Sequence, residues 1–105
     1  MTFHSSSHIS DGVATIRISG ELLARSAGQL NRLINEVAEQ RPTRVVFLMA
    51  DLTRLSSAGL RSLVFAHQRL GRSVEIVLVG ARPEVAEMIR HTGLDQSVVM
   101  QEPMG

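Results

Sequence analysis

The chain is 105 residues long, 44% hydrophobic and 20% charged, a balance that supplies one core and rules out a disordered chain. It has no cysteine, which removes disulfides, thiolate-ligated zinc, a thiol nucleophile and a redox motif; no apolar run approaches the roughly 18 residues of a membrane span. All 11 basic residues are arginine, scattered along the chain against 10 acids for a net charge of +1, and aromatics are only 3%, so the composition argues against a nucleic-acid partner.

The amino end, Met1 to Gly12, has no basic region followed by an apolar stretch and does not read as a secretory leader. The expectation is one soluble, cytoplasmic domain over residues 1–105 with no membrane insertion. Val13 to Ile18 alternates β-branched residues and predicts a strand, with Asp11-Gly12 as the turn before it and Phe3 to Ile9 as its hairpin partner. From Ser26 to Gln40 the apolar residues Ala27, Leu30, Leu33, Ile34, Val37 and Ala38 fall on one helical face, and Arg41-Pro42 ends the helix. Arg44 to Met49 is apolar after its first residue, the pattern of a strand buried on both faces, followed by a short loop. Ser57 to Leu70 predicts a second helix with Leu60, Leu63, Val64, His67 and Leu70 on its apolar side and Gly71 as its stop. Val74 to Val79 is another strand. Pro83 then opens a third helix, with Glu84 and Glu87 where negative charge suits the dipole, and Gly93 closes it after Thr92. Val98 to Gln101 is a last short strand. Met49, Met88, Met100 and Met104 read as core or terminal residues. Strands alternating with helices predict an α/β fold: a mixed, mostly parallel sheet of four to five strands, right-handed crossovers, and three main helices packed mainly on one side.

No catalytic constellation assembles from these elements. There is no G-x-S-x-G elbow and no phosphate-binding G-x-x-x-x-G-K-[ST] loop. A triad of Ser57, His67 and Asp51 can be drawn, but His67 lies about three turns beyond Ser57 on the same helix and cannot reach back to its hydroxyl. His67 reads instead as a packed histidine with one ring nitrogen satisfied. His4 and His8 lack a third ligand, so no metal is expected, and no cofactor is implied.

The informative stretch is Leu52-Thr53-Arg54-Leu55-Ser56-Ser57-Ala58-Gly59-Leu60-Arg61. Two serines stand where a helix begins, and one of them is expected to cap it. A helix amino end also presents unpaired N–H groups and a positive dipole end, so it accepts a phosphoryl group readily. Ala58 and Gly59 keep the surface thin beside it.

This stretch resembles the signature of the STAS domain as found in bacterial anti-sigma factor antagonists, in which a strand leads into a "(D/S)-S-(S/A/T)-G-L" turn that opens a helix. Ile18-Ser19-Gly20-Glu21-Leu22 is similar to the family's G-(E/R)-L after the second strand. Val77 to Val85 is similar to its fourth strand and the start of its third helix, and His91-Thr92-Gly93-Leu94 to its T-G-L close. The motifs occur in order over nearly the whole chain. The resemblance implies a single STAS-like domain and a protein-binding switch, not an enzyme. Unphosphorylated, such a protein binds an anti-sigma factor that is also a GHKL-type serine kinase; the kinase phosphorylates one serine of the turn, and a Ser/Thr phosphatase reverses it. The phosphoacceptor aligns with Ser57, with Ser56 as runner-up, and the partner surface with Ser56, Ser57, Ala58, Gly59, Arg61 and Leu23. Three positions depart from the family pattern. Ser56 and Leu23 stand where many members carry Asp, and Leu48 holds the register of the acid of the third strand, with Asp51 three residues later. The alternative reading is a STAS scaffold without a phosphorylation cycle, serving a transporter or signalling complex.

Overall fold

The structure, a computed structural model, describes residues 2–102; Met104 lies outside them. In chain order the elements are β1 (His4–Ser10), β2 (Val13–Leu22), α1 (Ala24–Glu39), β3 (Arg44–Leu55), α2 (Ser57–Leu70), β4 (Glu75–Val79), α3 (Pro83–Thr92), a short 3-10 turn (Leu94–Gln96) and β5 (Val99–Gln101). The five strands lie side by side in the same order as in the sequence. β1 runs antiparallel to β2, and every later pairing is parallel.

This topology follows from the local sequence. Asp11 and Gly12 both adopt positive φ, 53° and 79°, which is the two-residue type I′ turn that suits a twisted hairpin. Thr43 then anchors the start of β3 to that turn, its N–H donating to the Gly12 carbonyl at 2.8 Å. Each parallel crossover steps one strand further in the same direction, so right-handed connections deliver all three helices to one face of the sheet. The burial alternation agrees. Ala14, Ile16 and Ile18 on β2 and Val45, Phe47 and Met49 on β3 are fully buried beneath the helices. Between them, Thr15, Val46 and Leu48 are half-buried and Arg17 is exposed on the opposite face.

Several expectations need correction. β3 is not buried on both faces, because the helices cover only one. Nor does it end at Met49: it continues to Leu55, so the expected loop before α2 shrinks to Ser56. The reason is a shift of register between β2 and β3, with irregularities at Arg17/Ser19 and Gly20/Glu21. It lets Leu52 and Leu55 both turn into the core although they are three residues apart. The buried stripe of α2 is Gly59, Leu60, Ser62, Leu63 and Ala66, whereas Val64, His67 and Leu70 sit half-buried at its margin. His67 is therefore not a packed core histidine, and neither of its ring nitrogens has a hydrogen-bond partner among the described residues. No helix among the described residues is long and apolar enough to cross a membrane.

Candidate functional site

The carboxyl ends of β2 and β3 stop side by side, and α1 and α2 begin there. Leu22 pairs with Leu55 across the two strands. One residue later, the Ser56 N–H donates to the Leu22 carbonyl at 3.0 Å, which fixes where α2 starts. Ser56 is the N-cap of α2, in extended conformation, and its Oγ accepts from the Gly59 N–H at 3.0 Å. That bond satisfies one of the free donors of the first helical turn.

Gly59 is glycine because of a close approach. Its backbone is ordinary helix, but a Cβ there would lie 2.2 Å from the Leu22 carbonyl oxygen and 2.8 Å from its carbon. The first turn of α2 thus rests directly on the end of β2. Gly20 is constrained twice over: its φ is +85°, and a Cβ would meet the Thr2 carbonyl oxygen at 2.0 Å. The Gly20-Glu21-Leu22 and Ser56-to-Leu60 motifs are therefore two halves of one contact.

Leu23, half-buried, is the N-cap residue of α1 and supplies no side-chain acceptor. Ser26, in the first turn, takes over: its Oγ accepts from the Leu23 N–H at 3.2 Å and donates to the Glu21 carbonyl at 3.0 Å. The carboxylate of Glu21 faces Arg25 at 3.9 Å and Arg54 at 4.0 Å, both largely exposed. These pairs organise the rim and contribute little stability.

Against this frame, the structure brings Leu23, Ser56, Ser57, Ala58, Gly59 and Arg61 to one end of the sheet. The two serines differ sharply. Ser56 is half-buried and its hydroxyl is engaged as a cap; Ser57, one residue on, is exposed and its hydroxyl has no partner among the described residues. Ala58 is half-buried beside it and Arg61 projects from the next turn, exposed. Leu48 is not part of the cluster: it lies mid-strand, paired with Arg17 and Val79. Asp51 lies opposite Ser19, exposed and short of the helix start. His67 stands ten positions from Ser57 on one helix, about 15 Å along the axis, so no Ser–His pair forms. No group of three or more His, Cys, Asp or Glu that could hold a metal occurs among the described residues. Ser26 and the arginine pairing of Glu21 were not singled out by the sequence, and Leu22 entered only as part of the Gly20-Glu21-Leu22 motif; the one available signal for Ser26 was a serine in the first turn of α1, half of a capping box.

Comparison with known proteins gives consistent results. A profile of the STAS domain matches residues 5–104. The chain is 31% identical over 87 residues to the anti-sigma-F factor antagonist RsfB of Mycobacterium tuberculosis, covering 83% of this chain and 71% of that protein. Its structure superposes on that of an anti-sigma factor antagonist from Mycobacterium paratuberculosis with a TM-score of 0.86 at 26% identity, over 95% of this chain and 86% of that one. The unphosphorylated form of the anti-sigma factor antagonist SpoIIAA shares the fold, with a TM-score of 0.81 at 19% identity, over 98% of this chain and 89% of that one.

Proposed function

The chain belongs to the STAS domain family, and on that premise we propose that it is an anti-sigma factor antagonist: a cytoplasmic binding protein, not an enzyme, that docks an anti-sigma factor kinase through the amino end of α2 and is released when Ser57 is phosphorylated. The observation that carries the choice of residue is the contrast between the two serines. Modifying Ser56 would remove the cap from the Gly59 N–H. Modifying Ser57 breaks no hydrogen bond of the fold.

The chemistry is a phosphoryl transfer. The Ser57 Oγ forms a bond to the γ-phosphorus of ATP, the bond to ADP breaks, and the hydroxyl proton leaves to a base of the kinase. A Ser/Thr phosphatase returns the hydroxyl with water. The group added carries about −1.5 to −2 charges at the first turn of α2, where free N–H groups and the helix dipole accommodate it. The fold therefore tolerates the modification. A kinase surface packed over Ser57, Ala58 and Gly59 does not, since it would bury an unpaired charge at a cost of about 3–5 kcal/mol, or about two to three and a half orders of magnitude in affinity.

The test is incubation with the cognate kinase and ATP, with the site mapped by mass spectrometry and binding followed by calorimetry. Label at Ser57, persistent binding by Ser57→Ala and weak binding by Ser57→Asp are expected. No label at either serine, with Ser57→Asp binding like wild type, would refute the switch and favour a scaffold role.

A further inference from the structure

We propose that β1 is a pairing edge, and that two copies of this chain join antiparallel along it, about a two-fold axis through Ser6, into one continuous sheet. Among the described residues β1 pairs with β2 alone, leaving its other side open. Natural edges are blunted by charged residues, proline or a bulge. β1 reads His4-Ser5-Ser6-Ser7-His8-Ile9-Ser10, with no lysine, arginine, acid or proline, and its register with β2 runs unbroken from His4 to Ser10.

The turn decides which groups face outward. In a two-residue hairpin the closing pair, Ser10 and Val13, is a hydrogen-bonded one, and bonded pairs then alternate along the ladder. His8, Ser6 and His4 thus bond inward to β2, while Ile9, Ser7 and Ser5 present their N–H and C=O groups to the open side. The Gly12 carbonyl, turned toward Thr43 at the start of β3, fits the same alternation.

The segment from His4 to His8 is a palindrome, and its centre coincides with an allowed register. With Ser6 facing Ser6 of the second copy in a non-bonded pair, Ser5 bonds to Ser7, His4 lies opposite His8, and Phe3 reaches Ile9. Like meets like at each step. A register centred on Ser7 instead sets Ser6 against His8 and Ser5 against Ile9. The axis stands perpendicular to the sheet, so the helices of both copies share a face, and the two α1 helices come side by side. Within the sheet, charge does not oppose the pairing. The closest charge to Ser6 on the sheet is Arg17, its cross-strand neighbour on β2. The two Arg17 strands are three strand spacings apart, about 14 Å, beyond the screening length of about 8 Å at physiological salt.

The chain has no cysteine, so one introduced thiol reports directly. Under mild oxidation Ser6→Cys is expected to accumulate a disulfide-linked dimer while Ser73→Cys, at an exposed site away from β1, stays monomeric. Ser7→Pro removes two symmetry-related outward donors without touching the ladder to β2; it should weaken association about thirtyfold by sedimentation equilibrium, at an unchanged urea midpoint. Ser6→Glu and Ser6→Lys should each sediment as monomers and form a mixed dimer on combination. Failure of Ser6→Cys to cross-link above Ser73→Cys, or a wild-type chain that remains monomeric at about 1 mM, where even a millimolar dimer is visible, would overturn the proposal. None of these readouts involves a kinase or Ser57, so the outcome is independent of the proposed switch.

Discussion

Replacing Gly59 with alanine tests how the site is built. In a solvent-exposed helix this change gains about 0.8–1 kcal/mol of propensity. At Gly59 the new Cβ would stand 2.2 Å from the Leu22 carbonyl oxygen, more than an ångström inside ordinary contact, and the obstructing atoms are backbone at the end of β2. The helix must therefore lift. Lifting it stretches the bond from the Ser56 N–H to Leu22, worth about 1 kcal/mol. It also disturbs the Ser56 cap, worth about 1 kcal/mol. Forcing a methyl into a packed contact adds about 1–3 kcal/mol. Against the gain in propensity, the net loss is about 2–4 kcal/mol. At a slope of about 2 kcal/mol per molar urea, the midpoint should fall by about 1–2 M. Gly28→Ala is the matched control, because that glycine is exposed on α1 and its Cβ would meet only an Arg32 guanidinium nitrogen at 3.9 Å. It should raise stability by about 0.5–1 kcal/mol. If Gly59→Ala moved the midpoint upward as Gly28→Ala does, the contact between α2 and β2 would not exist in the form described.

Other perturbations have equally definite outcomes. Leu63, 3% exposed on the buried stripe of α2, should cost about 2–5 kcal/mol on truncation to alanine in denaturant melts. Ser56→Ala removes the cap and should cost about 1 kcal/mol with the fold retained by circular dichroism. Ser57→Asp adds a negative charge in the first turn and should leave the thermal midpoint unchanged or raise stability by about 0.3–1 kcal/mol at low salt. Arg44→Ala breaks the 2.6 Å contact with Glu75, but both side chains are about half exposed, so the melt should shift by less than about 1 kcal/mol.

The element order, the parallel sheet and the helix limits at Ser57, Leu70, Pro83 and Thr92 were legible because punctuation and periodicity agree there. Gly71 and Gly93 both take positive φ as stops, and Pro83 is the first residue of α3. The sequence misled where tertiary pairing overrode local pattern. Leu52-Thr53-Arg54-Leu55 looks like a loop because its apolar residues do not alternate; only the irregular pairing with β2 explains how both leucines are buried. The start of α1 reads as Ser26, yet the helix begins at Ala24, since that serine caps from inside the first turn. His67 has the right spacing for the core and the wrong angle, because the small residues Gly59, Ser62 and Ala66 draw α2 against α1 and β2. Ser62 shows the closeness of that packing, its hydroxyl donating to the Ala27 carbonyl at 3.3 Å. The serines of the site were visible in the sequence; their division of labour was not, since it depends on which hydroxyl the first turn consumes.

That division has a consequence for how a signal can be read at this site. The start of α2 is tied to β2 by the Ser56 N–H on Leu22 and by the bare Cα of Gly59 against the same residue, and the end of β3 leading into it is held to β2 by the Thr53 hydroxyl donating to the Gly20 carbonyl at 3.0 Å. Gly20 in turn lies against Thr2 at the amino end of the chain. A charge added to Ser57 therefore meets a platform with little freedom to move, and the energy of the added group cannot be dissipated by rearranging the helix. In the proposed switch it appears instead in the interaction free energy of the surface laid over Ala58 and Gly59. A rigid mount makes a modification of one exposed hydroxyl a change of surface chemistry alone, which is what a binding switch requires if both of its states are to remain folded.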